Sequence, residues 1–258
     1  MPACLCCAHG RHSPGSGRRA LLAASAAGLF GMGAGLLPGG GSGGFGPSAA
    51  QAATGAGPGI SADEALALLK QGNRDYLSSG PRHNEGIGRE RRRAIAQAQA
   101  PFCVLLGCSD SRVPPELLFG RGLGDLFIVR NAGNTEVHTS LGSVEYGVAA
   151  LGAPLVVVLG HERCGAVAAA IEMVEHERLP PGAIGAVVEP IIPAVLKARS
   201  EGHRGEALLH HASVENVRGV VSRLGTTSAL LSEPLKAGRL KIVGAHYDLD
   251  DGEVTFLG

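Results

Sequence analysis

The sequence has no tryptophan, and its 23 Lys+Arg are matched by 23 Asp+Glu, so the formal net charge is zero. Without an indole, no site in the chain can use that N–H donor. Without a basic excess there is no field to hold a polyanion, so nucleic acid is not expected as a partner. No self-similarity at a period of about 20–50 residues is visible, which excludes a solenoid or propeller. Cysteine is too sparse for a disulfide framework: Cys103, Cys108 and Cys164 lie in the globular part, and Cys4, Cys6 and Cys7 cluster in the N-terminal tail. Nothing downstream completes a metal site with that tail, so it is left without a role. Hydrophobic residues make up 45% of the 258 and charged residues 18%, enough to bury the core of one large α/β domain or two small ones.

The forty glycines are partly a property of the first sixty residues. Arg18-Arg19 opens an uncharged, Ala/Gly-rich stretch to Leu37. A Gly/Ser/Pro segment follows, and Ala50-Gln-Ala52 is a small-x-small cleavage sequence. A basic start, a weakly apolar middle and such an ending describe an export signal. The paired arginines resemble a twin-arginine signal. A leader over 1–52, a linker over 53–60 and a mature domain over 61–258 are therefore expected. The mature protein would be periplasmic or extracellular in a bacterium, with no stable membrane partner once the leader is cleaved. An uncleaved anchor is the alternative, since about 18 uncharged residues can just span a bilayer, but the glycines in this stretch suit one poorly.

The rest alternates between strand and helix patterns. Ser61-Ala-Asp-Glu64 is a capping box ahead of Leu66, Leu69, Tyr76 and Leu77 on one helical face, and Gly80-Pro81 ends that helix. A basic helix is expected over Arg89–Gln99, its arginines on a solvated face. Apolar runs predict strands at Phe102–Gly107, Leu126–Arg130, Leu155–Gly160, Leu240–Ala245 and Glu253–Leu257, the last two joined by a turn at Asp250-Asp-Gly252. Helices are expected over 141–151, 165–177 and 207–224, and Pro190 and Pro193 kink or bound another. Strands alternating with helices give an α/β domain with a mostly parallel central sheet flanked by helices and an antiparallel edge.

Chemistry concentrates where two of these strands end. Cys108-Ser-Asp110-Ser-Arg112 closes the first, and His161-Glu-Arg-Cys164 follows the third. Parallel strands deliver such residues to one carboxyl edge, where open α/β sheets place their sites. Taken singly, each cysteine would be a small core residue. Together, two thiolates and an imidazole suit zinc and leave a fourth tetrahedral position open, as a catalytic site requires. A carboxylate beside such a metal would bind it unless restrained, and a forked Arg112–Asp110 pair is such a restraint.

These segments resemble the β-class carbonic anhydrases. Gly107-Cys-Ser-Asp-Ser-Arg-Val113 and Gly160-His-Glu-Arg-Cys-Gly165 are similar to the two motifs of that family. Gly124–Asn131, Gly142–Tyr146 and Val243–Leu249 are similar to further segments, and the likeness runs from about Gln71 to Leu257. The resemblance implies one zinc per subunit on Cys108, His161 and Cys164, with water or hydroxide at the fourth position that attacks CO2 to give bicarbonate and a proton. It implies that Asp110 accepts a hydrogen bond from that solvent while Arg112 keeps Asp110 off the metal, and that Asp110 becomes a fourth ligand in a closed state. By the same resemblance Gln99 would hold the substrate through its amide. Phe127, Ala132 and Tyr146 would line an apolar pocket shared with a neighbouring subunit, in a homodimer or a multiple of dimers. Leu105 stands where some members place a Trp beside counterparts of Arg130 and Tyr247 in a regulatory bicarbonate pocket, so locking by bicarbonate is not expected. His138 and His246 are proton-relay candidates by residue type alone.

The alternatives on the same scaffold are hydrolysis of carbonyl sulfide or carbon disulfide, or a non-catalytic zinc- or bicarbonate-binding homologue. A redox pair of Cys103 and Cys108 is disfavoured by their spacing within one strand–loop unit.

Overall fold

Four runs of aliphatic residues, hydrophobic at every position rather than at alternate ones, require a sheet covered on both faces. The structure, a computed structural model, describes residues 57–79 and 86–257. In chain order the elements are α1 (Ala62–Ser79), α2 (Arg89–Ala94), β1 (Cys103–Cys108), α3 (Pro115–Leu118), β2 (Leu126–Asn131), α4 (His138–Ala149), β3 (Leu155–His161) and α5 (Gly165–His176). They continue with α6 (Ile184–Val188), a 3₁₀ turn (Glu189–Ile191), α7 (Ile192–Ser200), α8 (Gly205–Thr227), α9 (Ala229–Lys236), β4 (Lys241–Tyr247) and β5 (Val254–Leu257). The sheet runs β2-β1-β3-β4-β5, parallel except for the β4–β5 hairpin. That is the expected mostly parallel α/β architecture with an antiparallel edge.

Residues alternating along β1 and β3 face two different cores. Leu105, Val157 and Ala245 pack on Ala65 and Leu69 of α1 and Leu118 of α3. Val104, Leu106, Val156 and Val158 pack on Val144 and Val148 of α4, on Val217, Val220 and Leu224 of α8, and on Leu231 of α9. A third cluster joins Cys108 and Cys164 to Val167 of α5, Val195 of α7 and Leu208 and Ala212 of α8. Close approach of α8 depends on two glycines. A Cβ on Gly160 would lie 2.5 Å from Val217 Cγ2, and one on Gly244 would lie 2.8 Å from Val217 Cγ1.

The Ser61 capping box forms as read: Ser61 N–H donates to Glu64 Oε2 at 2.8 Å and Glu64 N–H to Ser61 Oγ at 3.2 Å. The expected helix over Arg89–Gln99 is shorter. It ends at Ala94 with no buried residue, because four arginines in its first five positions leave it no apolar face to dock. Arg91 instead reaches across to Leu123 O and Asp125. The proline-rich stretch splits into α6, the 3₁₀ turn and α7 as the prolines require, with Pro190 and Pro193 each in a first turn. The short α3 and α9 were not read from the sequence; α9 even contains Pro234. The leader, its cleavage sequence and Cys4, Cys6 and Cys7 lie outside the described residues. Among those described, no helix is long and apolar enough to cross a membrane.

One buried amide ties the N-terminal helix to the hairpin. Asn73 Nδ2 donates to Leu118 O at 3.3 Å and Gly252 O at 3.1 Å, and its Oδ1 accepts from Val254 N–H at 2.9 Å. Asn73→Ala strands these groups in a buried place, so it is expected to destabilise the fold by about 3 kcal/mol in urea unfolding, with an unchanged slope. A loss below about 1 kcal/mol would show that water replaces the amide there.

Candidate metal centre

Strands β1 and β3 are paired neighbours, with Gly107 opposite Leu159, so Cys108 and His161 emerge side by side at the carboxyl edge. Cys164 returns to the same place because Arg163 adopts a left-handed conformation (φ 49°) that turns the chain within one residue. Helix α5 then begins at Gly165. The result is that ligand atoms of Cys108, His161 and Cys164 all lie within 4.8 Å of one another, in residues that are all buried.

The donor chemistry fits a soft divalent cation. His161 is fully buried. Its Nδ1 lies 2.8 Å from Glu162 O, a contact that needs the proton on Nδ1 and leaves a lone pair on Nε2. That Nε2 is buried without a hydrogen-bond partner. A buried, unpaired lone pair within 4.8 Å of two sulfurs is suited to holding zinc together with them. The sulfurs of Cys108 and Cys164 stand 3.9 Å apart, too far for a disulfide. Each restricts the other's ionisation: the shared hydrogen bond lowers the pKa of Cys108, while the same bond and burial push Cys164 up. The pair holds one proton, and a divalent metal would replace it. Backbone N–H groups reinforce the negative charge, from Gly133 and Asp110 to Cys108 and from Ala166 and Val167 to Cys164.

Asp110 faces this group with Oδ2 3.9 Å from His161 Nε2. It is held by Arg112 through Nε to Oδ1 at 2.9 Å, Nη2 to Oδ2 at 2.8 Å, and the Arg112 N–H to Oδ1 at 2.9 Å. The Arg112 hydrogen bonds keep its carboxyl well below the usual carboxylate range, so Asp110 is ionised across the working pH range. Arg130 fixes the backbone beneath, donating from Nε to Cys108 O at 2.8 Å and from Nη2 to Asp110 O at 2.6 Å. Leu105 and Tyr247 share one core cluster, and burial together with Tyr76 pushes the Tyr247 phenol up to about 12.

The remaining candidates separate from this cluster. Phe127 and Tyr146 meet each other, ring centroids 6.0 Å apart, on the flank formed by edge strand β2 and α4, with Tyr146 42% exposed. Ala132 is exposed in the loop after β2, and Gln99 is exposed in the irregular segment before β1. His138 is exposed at the start of α4. His246 does not suit a proton relay. It is buried with Nε2 3.1 Å from Ser213 Oγ, and burial pushes its pKa down to about 4, so it stays neutral near pH 7. Cys103 is a core residue at the far end of β1 from Cys108, about 16 Å away by strand rise, its thiol pushed up by burial. That distance excludes a redox pair.

Sequence reading missed the groups that brace the centre from elsewhere. These are the Gly133 N–H (3.2 Å from Cys108 Sγ), Ser213 (Oγ to His161 O, 2.9 Å), Asn216 (Nδ2 to Gly133 O, 2.8 Å) and the bracing part of Arg130, a residue the resemblance placed only beside a regulatory pocket. No local spacing marks them, because they lie 22 to 108 positions from the ligand they serve.

Comparison with known proteins agrees with this geometry. A family model described as carbonic anhydrase matches residues 103–254. The carbonic anhydrase of Mycolicibacterium smegmatis is 41% identical over 187 residues, covering 72% of this chain and 88% of that protein. Among solved structures, the β-carbonic anhydrase CcaA aligns with a TM-score of 0.59 at 27% identity, over 75% of this chain and 95% of that one. One of two tetrameric β-carbonic anhydrases from Sordaria macrospora aligns with a TM-score of 0.57 at 26% identity, over 64% of this chain and 85% of that one. A two-motif donor set at one sheet edge, the family model spanning both motifs and the matching fold lead to one assignment: the chain belongs to the β-class carbonic anhydrases.

Proposed function

We propose that this chain catalyses the reversible hydration of CO2 to bicarbonate and a proton, with one zinc per subunit held by Cys108, His161 and Cys164. The observation that carries the reading is the orphaned Nε2 of His161, buried against two sulfurs with an ionised carboxylate 3.9 Å away. Zinc bound there would supply the Lewis acidity that makes water nucleophilic near neutral pH, as it does in the carbonic anhydrases built on three imidazoles. The residues themselves do the positioning. Asp110 accepts a hydrogen bond from the attacking water and so aims a lone pair at the CO2 carbon. Arg112 fixes Asp110 by its fork and prevents the carboxylate from moving onto the three-ligand group. Gln99 is proposed to hold substrate by its amide. Phe127 and Tyr146 are proposed to line an apolar CO2 pocket that a neighbouring subunit completes. The exposed Tyr146 against a half-buried Phe127 beside an edge strand supports a subunit contact at that flank, hence a homodimer or a multiple of dimers.

Metal analysis, a CO2 hydration assay and sedimentation of the purified protein test this together. The expected result is one zinc per subunit, turnover, and a dimer or larger even assembly. Cys108→Ala is expected to lose zinc and activity together. Full zinc occupancy with normal turnover in that variant would refute the ligand set.

Arg112→Ala leaves Asp110 without its fork. It is expected to lower kcat by about 100-fold or more, comparable to removing an orienting group, while zinc content stays at one per subunit. The expected crystal structure shows Asp110 turned onto the metal; one with Asp110 still turned away would contradict the restraint.

For localisation, export of the folded domain through the twin-arginine pathway is proposed from Arg18-Arg19 ahead of a weakly apolar stretch. Folding in a reducing compartment first would let Cys108 and Cys164 take up metal before they meet an oxidising one. Replacing Arg18 and Arg19 by Lys is expected to leave the full-length precursor inside the cell, and fractionation showing unchanged export would end this proposal.

A further inference from the structure

The loop after β2 is built to present one backbone N–H to a sulfur. Gly133 (φ 79°) and Asn134 (φ 45°) are consecutive left-handed residues, and together they turn the Gly133 N–H toward β1, 3.2 Å from Cys108 Sγ. No side chain fits at 133: a Cβ would lie 2.6 Å from Ile191 Cδ1 and 3.0 Å from Ala166 Cβ. The base of the loop is closed by Asn131, whose side chain bonds both Thr135 N–H at 2.8 Å and Thr135 O at 2.7 Å. Ser109 N–H adds a bond to Asn131 O at 3.0 Å. The Asn134 N–H also bonds Asn131 O at 3.3 Å, and these contacts close the loop but leave the Gly133 carbonyl unheld.

The tip is fixed from α8. Asn216 is 2% exposed, and its Nδ2 donates to Gly133 O at 2.8 Å. Gly133 is therefore held on both sides, its carbonyl by Asn216 and its N–H against Cys108. We infer that Asn216 is a positioning residue for the metal centre, acting through Gly133 to keep an N–H···S bond on Cys108. The inference rests on the reading of Cys108 as a zinc ligand. An N–H bonded to a thiolate draws charge from the sulfur, and it aligns the lone pair left for the metal. Without Asn216 the Gly133 carbonyl would be a buried acceptor without that partner, and the tip would shift to find another.

The test uses Asn216→Leu, which keeps the volume and removes the donor, with Asn216→Ala beside it. Zinc release to a chelator is expected to be faster and zinc affinity about 10–100-fold lower than in the wild type, the usual effect of losing an outer partner of a ligand. In the cobalt-substituted protein the thiolate-to-cobalt charge-transfer band is expected to move to longer wavelength, because the sulfur electrons are less stabilised. A role limited to core packing would lower the melting temperature but leave both the band and the release rate at wild-type values, and that result overturns the inference. If neither variant folds, the wild-type protein loaded with ¹¹³Cd decides. The Gly133 amide proton must then show scalar coupling to cadmium through the Cys108 sulfur, and its absence overturns the inference. Wild-type protein that holds no zinc would refute the ligand reading itself. Wild-type protein that holds zinc, with variants indistinguishable from it, would refute only the part given to Asn216.

Discussion

Two sulfurs and an imidazole buried at one sheet edge, with the part-exposed Asp110 carboxylate beside them, cannot carry two thiolate charges without a cation, and the rest of the site answers that constraint. Sulfurs 3.9 Å apart cannot both ionise in the protein alone, so one holds the proton the other has lost. A divalent ion there would balance two thiolates, and Arg112 balances Asp110, so the occupied centre would carry no net charge. That neutrality would matter at the two buried sulfurs, where little water screens charge. It also explains why Asp110 needs a partner of its own: a third anion facing the same cation would otherwise compete for it. The fork of Arg112 is set by a spacing of two residues, which lets the Arg112 N–H bond the same carboxylate as its side chain.

The parts of this arrangement that could be read from the sequence are those encoded locally. A ligand placed directly after an apolar strand has a known direction and a known sheet edge, so Cys108, Asp110, Arg112, His161 and Cys164 were legible as a group. The same holds for the capping box at Ser61 and the hairpin at Asp250–Gly252, where a few adjacent residues decide the backbone. Reading failed where burial decides. The segment through Gln99 has helix formers, but α2 stops at Ala94 for want of a face to bury. His246 has the right side chain for proton transfer, yet its position in β4 next to Gly160 puts it inside, where the charged form is disfavoured. The pairing of Phe127 with Tyr146 also depends on a strand and a helix meeting, which no local pattern specifies.

Two of the supports of the centre come from one helix face. Ser213, Asn216 and Val217 are spaced three and four apart on α8, so they project to one side. Ser213 bonds the carbonyl of His161, Asn216 bonds the loop that serves Cys108, and Val217 fills the space left by Gly160 and Gly244. The helix thus touches the end of β3 and the loop after β2 whose Gly133 N–H faces Cys108. Its depth on the sheet is set by the two glycines, since a methyl at either would drive Val217 away by more than a side chain can absorb. The Ser213 hydroxyl and the Asn216 amide thus sit on the helix that Val217 seats against the sheet. That coupling is why residues with no chemistry of their own, such as Gly160 and Val217, belong to the physical account of the metal centre.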